Sequence, residues 1–160
     1  MPAKRLTATE LADALQLRTG HVFRDHKRLQ RALTHGSARS ANAGVDYERF
    51  EFLGDRVLGL AVADMLLEAF PEAPEGELSV RLNALVNAEA LAEIADVIGL
   101  AELIRAGSEV RNLAERKRVN LRADALESLI AVLYLDGGLE AAKRFIHKYW
   151  KPRAQAVGAA

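Results

Sequence analysis

Apolar residues recur along this chain at three- and four-residue intervals almost without interruption, the spacing of helices that bury one face. Leu11, Leu15 and Leu17 form the apolar side of a first helix over about 10–17, with Thr9 placed to cap it. HKRLQRALT predicts a second over about 27–35, and GSARSANAGVD, rich in small and polar residues, a loop over 36–46. The longest helix covers about 47–69 and stops before Phe70-Pro71. Pro71 and Pro74 bracket a turn, after which Glu75-Gly76-Glu77 opens a helix to about Val86. Asn87 caps the next, over about 88–98, which Gly99 ends. A short helix over about 100–106 and an exposed basic loop over about 107–119 follow. A final pair spans about 120–136 and 139–149, separated by Asp136-Gly137-Gly138. No strand pattern and no internal repeat interrupts this series, so the expected fold class is all-α.

Two of these helices carry acids in positions that periodicity alone does not explain. In ERFEFLGD, over 48–55, Glu48, Glu51 and Asp55 stand at i, i+3 and i+7. At about 100° per residue they fall within roughly 60° of one another, on one stripe of one helix. Like charges so spaced repel, at a cost of about a few tenths of a kcal/mol per pair. Arg49 and Arg56 project about 100° away from the stripe, so neither is expected to offset it. The stripe then continues through Val62 and Leu66 into an apolar seam. In the helix over 120–136, Asp124 and Glu127 again share a face. The run Leu129 to Leu135 behind them is apolar all round, the mark of a helix in the interior.

Composition narrows the chemistry. A chain of 160 residues suits one domain, and 50% hydrophobic residues with only 6% aromatics favour helix over sheet. With no Cys there is neither a disulfide framework nor a thiolate metal site. Acids such as Asp64 and Glu68 break the longest apolar runs, and MPAKRLTATELADAL lacks the apolar core of a signal peptide. No membrane association is expected, and a soluble cytoplasmic protein is the default. Net charge is formally zero, which argues against coating nucleic acid by bulk electrostatics. Arg111, Arg116, Lys117, Arg118 and Arg122 nevertheless cluster ahead of Asp124, and Arg24, Lys27, Arg28 and Arg31 near the start. Such clusters are solvated faces unless another feature points to a polyanion.

Two readings of the acids stay open on pattern alone. Acids favour helix starts, where they complement the dipole, and this accounts for Asp124 without any ligand. It accounts less well for Glu51 and Asp55, which lie inside their helix beside core residues. The second reading brings Glu51, Asp55, Asp124 and Glu127 together around a cation. Four oxygen donors without His or Cys suit Mg²⁺, with Mn²⁺ able to substitute, and disfavour zinc. The implied chemistry is metal-assisted phosphoester hydrolysis by a metal-activated water.

The octet ERFEFLGD resembles the signature of the ribonuclease III family, usually written ERLEFLGD. ALTHGSA at 32–38, EGELSVRLNALVN at 75–87 and RADALESLIAVLYLDGG at 122–138 agree with that family in order, so the resemblance spans about Leu6 to Trp150. It implies an α-helical catalytic domain over 1–151 that forms a homodimer and cuts double-stranded RNA, leaving 5′-phosphate and 3′-hydroxyl ends. Roles in ribosomal and messenger RNA processing go with that activity. Residue by residue, the resemblance implies Glu51, Asp55, Asp124 and Glu127 as metal ligands. It implies Asp55 and Glu127 as the catalytic pair and Glu48 and Glu75 as accessory acids of the cleft. Phe52 matches an aromatic knob that enters a socket on the partner subunit; from the residues alone it is a large apolar group beside the acids, with core packing equally open. Arg111, Arg116, Lys117 and Arg118 become the first candidates for RNA backbone contacts.

Three positions depart from the family pattern: Phe50 for a Leu, Arg56 for a small residue, and Gly36 for an Arg or Pro. Bacterial members continue into a double-stranded-RNA-binding domain, whereas KPRAQAVGAA ends this sequence, so 152–160 is expected as a flexible tail or truncated linker. Without that module, weaker and more salt-dependent RNA binding is expected. The alternative function on the same fold is a catalytically inactive dimer that binds double-stranded RNA.

Overall fold

A computed structural model describes residues 5–38, 43–107, 110 and 112–156. Its regular elements include α1 (Ala8–Thr19), α2 (His26–Ala32), α3 (Ala43–Ala69), α4 (Glu75–Val86), α5 (Ala88–Val97), the 3₁₀ turn Leu100–Leu103, and α6 (Glu115–Ala156). The all-α expectation holds. One parallel bridge, Thr34 with Arg105, pairs two loops without forming a sheet.

Local chemistry sets most of the boundaries. Thr7, two residues before the expected Thr9, caps α1: its hydroxyl accepts from the Glu10 N–H while the Glu10 carboxylate accepts from the Thr7 N–H. This reciprocal box satisfies two otherwise orphaned donors, which is why it wins over the single cap. Leu11 and Leu15 are buried, but Leu17 is 84% exposed and does not join the core. Asn87 caps α5 as expected, accepting from the Ala90 N–H at 2.9 Å.

Three boundaries depart from expectation. Helix α3 begins at Ala43, within the segment expected as a loop. The basic segment is helical from Glu115 rather than a loop to residue 119. The last helix continues through Pro152 to Ala156 with Ala154 buried, so 152–156 packs with the domain rather than trailing as a tail. Asp136-Gly137-Gly138 does interrupt α6: Gly138 has φ 76°, a conformation that Gly adopts without the penalty of a Cβ. The Asp136 carboxylate there accepts from the Arg24 and Asp25 N–H groups and meets His21 Nε2 at 2.7 Å.

Helices α3 and α6 make the most extensive contact in the domain. Leu58, Val62 and Leu66 of α3 and Leu126, Leu129, Ile130 and Leu133 of α6 all belong to one buried cluster. The apolar run of α6 is buried from Leu129 to Leu133, whereas Tyr134 and Leu135 emerge on the surface. The remaining helices close around this pair. Trp150 is buried with its Nε1 donating to the Leu85 carbonyl at 2.9 Å, and the Ser128 hydroxyl donates to the Ala32 carbonyl at 2.6 Å. These bonds satisfy polar atoms that burial would otherwise penalise. Among the described residues no helix is long and apolar enough to cross a membrane.

Candidate metal centre and active site

The acids of α3 and α6 meet where the two helices cross. Gly54 makes that crossing possible. A Cβ built there would lie 1.6 Å from the Glu127 carbonyl oxygen and 2.5 Å from its carbonyl carbon, so only glycine lets the backbones approach this closely. Gly in a helix interior costs about 1 kcal/mol relative to Ala. That cost within ERFEFLGD was the available signal, and sequence reasoning passed over it. Because Gly54 lies three residues after Glu51 and one before Asp55, contact at this point sets both carboxylates beside α6.

Glu51, Asp124 and Glu127 each offer a carboxylate oxygen within 4.8 Å of the others. Glu127 is buried, and Glu51 and Asp124 are half-buried. Among the described residues no Lys, Arg or His forms an ion pair with any of the three. Three carboxylates so close and so poorly hydrated cannot all ionise at ordinary cost, and their pKa values rise. Burial first, then the neighbouring Asp55, Asp124 and Glu51, pushes Glu127 up to about 9. Burial and Glu51 push Asp124 up to about 7. Glu51 is also raised, by burial and by the charges of Glu48 and Asp55, although its hydrogen bond with Asp124 pulls the other way. Side-chain hydrogen bonding pairs Asp124 with Glu51 and Glu127 with Asp55, each pair bridging the two helices. A divalent cation would supply a charge suited to all of the carboxylates.

The remaining expected site residues are distributed around this trio. Asp55 stands beside Glu127 but outside the close set of three, and its Oδ2 accepts from Arg56 Nη1 at 2.6 Å. Arg56 therefore does approach an acid of the stripe, contrary to expectation, because its long side chain folds back across one residue. Both partners are substantially exposed, so this pair contributes little to stability. An open pocket of about 450 Å³ is lined by Glu48, Glu51, Phe52, Asp55, Arg56 and Glu127. Glu48 lies at its exposed edge. Glu75 is not in this pocket: it opens α4, accepts from the Ser79 hydroxyl, and lines a separate groove with Leu60, Leu67 and Leu78.

Phe52 is 63% exposed, so core packing does not account for it. Its ring lies under the Arg56 guanidinium at 4.7 Å. It also borders a second hollow of about 680 Å³, whose walls include Val45, Phe50, Leu53 and Leu135 with Arg28, Arg31 and Arg49. Arg116, Lys117 and Arg118 are exposed on the first turn of α6, ahead of Asp124 on the same helix. Arg111 lies outside the described residues.

Comparisons with known proteins agree with this architecture. A family model described as Ribonuclease-III-like matches residues 25–153. A ribonuclease 3 from Mesorhizobium japonicum is 82% identical over 143 residues, which cover 89% of this chain and 65% of the relative. A ribonuclease 3 from Brucella canis is 62% identical over 157 residues, covering 98% of this chain and 64% of the relative. The chain thus spans just under two thirds of the length of the curated relatives it matches. The nuclease domain of ribonuclease III from Campylobacter jejuni superposes with a TM-score of 0.76 at 34% identity, covering 87% of this chain and 98% of that one. That structure is described as flexible in a region involved in dimer formation.

Proposed function

The chain belongs to the ribonuclease III family, and from that premise we propose that it is the catalytic domain of an endoribonuclease that hydrolyses double-stranded RNA with a divalent cation. The products carry 5′-phosphate and 3′-hydroxyl ends, and the activity serves ribosomal and messenger RNA processing in the cytoplasm. The observation that carries this reading is the convergence of Glu51, Asp124 and Glu127 within 4.8 Å, with no ion pair to any of them among the described residues.

The donor set fits Mg²⁺, with Mn²⁺ as a substitute: it is all oxygen, and burial with mutual repulsion raises the pKa values of Asp124 and Glu127 in a way that a cation would relieve. Glu51, Asp124 and Glu127 would hold the ion, with Asp55 adjacent as a further ligand. When bound, it supplies charge to neutralise the phosphate and lowers the pKa of an attacking water. Asp55 and Glu127 form the catalytic pair. Asp55 lines the open pocket beside Glu127, and its proposed role is to accept a proton from the attacking water. Glu48, at the pocket edge, is an accessory acid that adds to the negative field. Glu75 lines a different groove of its own protomer, so an accessory role for it depends on assembly with a second protomer.

A homodimer accounts for the surface around Phe52. A twofold interface uses one self-complementary patch, so a knob and its socket must lie on the same face. Phe52 borders the apolar hollow walled by Val45, Phe50, Leu53 and Leu135, which meets that requirement. Leu60 and Leu67, both exposed, continue on the same side of α3 within about 80° of Phe52. Two sites related in this way suit the two antiparallel strands of a duplex, recognised by shape and backbone rather than by base edges. Arg116, Lys117 and Arg118 are the proposed phosphate contacts, with Arg111 beside them in sequence.

Labelled duplex RNA incubated with the purified chain tests the proposal. Cleavage with Mg²⁺, none with chelator, and none with Glu127→Gln are expected. Binding of the duplex without cleavage under any divalent metal would instead favour the inactive RNA-binding dimer.

A further inference from the structure

The catalytic reading leaves the buried phenol of Tyr47 unused, and one of the family-like segments, ALTHGSA, without a role. Both lie beside the acids. Tyr47 is on α3, one helical turn before Glu51. It is 4% exposed, and its hydroxyl donates to the Leu121 carbonyl at 3.3 Å. Leu121 lies on α6, three residues before Asp124. The phenol therefore spans the same pair of helices as the acids do, next to the first acid of each. Its surroundings are consistent with that position: burial raises its pKa, and the charges of Asp124, Glu51 and Glu127 raise it further.

The THGSA loop braces this phenol. The His35 ring packs edge-on against the Tyr47 ring, with centroids 5.5 Å apart. His35 is held in turn, because its ring Nδ1 accepts from the Ser37 backbone N–H and its backbone N–H donates to the Arg105 carbonyl at 2.7 Å. The Ser37 hydroxyl accepts from the Gly107 N–H at 2.8 Å. A chain of contacts thus runs from the loop pairing at Thr34 and Arg105, through His35 and Tyr47, to the carbonyl of Leu121.

We propose that Tyr47 is a positioning residue that fixes the spacing of Glu51 and Asp124 across the α3–α6 crossing, with the THGSA loop as its brace. The inference rests on the metal-site reading of those acids. Gly54 allows the helices to approach, and Tyr47 sets their register on the far side of Glu51. The hydroxyl touches neither substrate nor ion; it acts through the two backbones.

Mn²⁺ binding followed by calorimetry, with thermal melts of the metal-free protein, tests this on wild type, Tyr47→Phe and His35→Leu. Tyr47→Phe keeps the ring and removes the hydroxyl. A single hydrogen bond corresponds to about a three- to tenfold change in an equilibrium. Tyr47→Phe is therefore expected to bind Mn²⁺ about three- to tenfold more weakly while melting within a few degrees of wild type. His35→Leu should weaken binding in the same direction, by less. Wild-type Mn²⁺ affinity in Tyr47→Phe overturns the inference and leaves the metal site standing, as does a lowered melting temperature with unchanged affinity. Should Tyr47→Phe fail to fold, unchanged affinity in His35→Leu overturns it. Failure of wild type itself to bind Mn²⁺ removes the metal-site reading on which the inference depends.

Discussion

Replacing Gly54 by Ala adds one methyl group at the α3–α6 crossing, and its effect can be worked from the backbone. The new Cβ would sit 1.6 Å from the Glu127 carbonyl oxygen, where Cβ contacts below 3.0 Å essentially never occur. The helices must therefore part by about 1.4 Å at this point, since the obstructing atom is backbone and no rotamer change relieves it. Around the crossing Leu58, Val62, Leu126 and Leu129 are fully buried, so separation loosens packing on both sides. Overpacking costs about 1–3 kcal/mol, and the better helix propensity of Ala returns at most about 1 kcal/mol. At about 2–4 °C per kcal/mol for a chain of this size, a melting-temperature fall of up to about 8 °C is expected. The functional loss should be larger. Misplacing a reacting group by about 1 Å can cost about 10²-fold, and parting the helices at position 54 moves Glu51 and Asp55 away from their partners on α6. Thermal melts and single-turnover cleavage of a labelled duplex measure both effects. Gly59→Ala is the control, because a Cβ at Gly59 meets nothing within 4 Å and should stabilise by about 0.5–1 kcal/mol. Wild-type stability and cleavage in Gly54→Ala, or equal losses in both variants, would refute the close-crossing account.

Further predictions follow from the charges and the exposed face. In the metal-free protein Asp124 and Glu127 hold protons to about 7 and about 9, well above the carboxylates of an unfolded chain. Folded pKa values raised in this way give stability that is full below about pH 4 and lost as pH rises through 7 and 9. Glu127→Gln, which keeps a neutral side chain, should therefore lose less melting temperature than wild type between pH 5 and pH 9; parallel pH profiles would count against the buried acid. Divalent metal displaces those protons, so Mn²⁺ should raise the wild-type melting temperature more at pH 8 than at pH 6, and at saturation near 100 times its Kd by about 5–10 °C. An equal rise at both pH values would argue against ligation by these carboxylates. Phe52→Ala should shift the chain toward monomer in sedimentation, with less than about 1 kcal/mol change in protomer stability, because Phe52 is already exposed; an unchanged dimer would exclude it as the knob.

Much of this architecture is legible in the sequence because helix periodicity and capping are local. Asn87, Gly99 and the Pro71–Pro74 turn act through neighbouring backbone groups, and the boundaries they predict match α4 and α5 closely. The start of α3 and the extension of α6 to Ala156 do not depend on such local signals. Ala154 is helical and buried because other elements cover it, and no caps or breakers in KPRAQAVGAA announce that packing. The carboxylates were legible as two stripes, one on each helix, and the two stripes do meet. Which acids converge was less legible. Asp55 lies just outside the trio and Glu75 in another groove, since the crossing point and angle, rather than spacing along one helix, decide these positions. Gly54 and Tyr47 were missed for the same reason, as both act on a helix distant in sequence. Arg56 was misread because a projection of Cα–Cβ directions ignores the reach of a long side chain.

The central claim, that α3 and α6 bring Glu51, Asp124 and Glu127 together to hold a divalent cation, is tested most directly by locating the ion. Anomalous scattering from a crystal equilibrated with Mn²⁺ should show one peak bounded by carboxylate oxygens of those three residues, with Asp55 adjacent. A Mn²⁺ peak elsewhere, or no peak at concentrations that support RNA cleavage, would contradict the account.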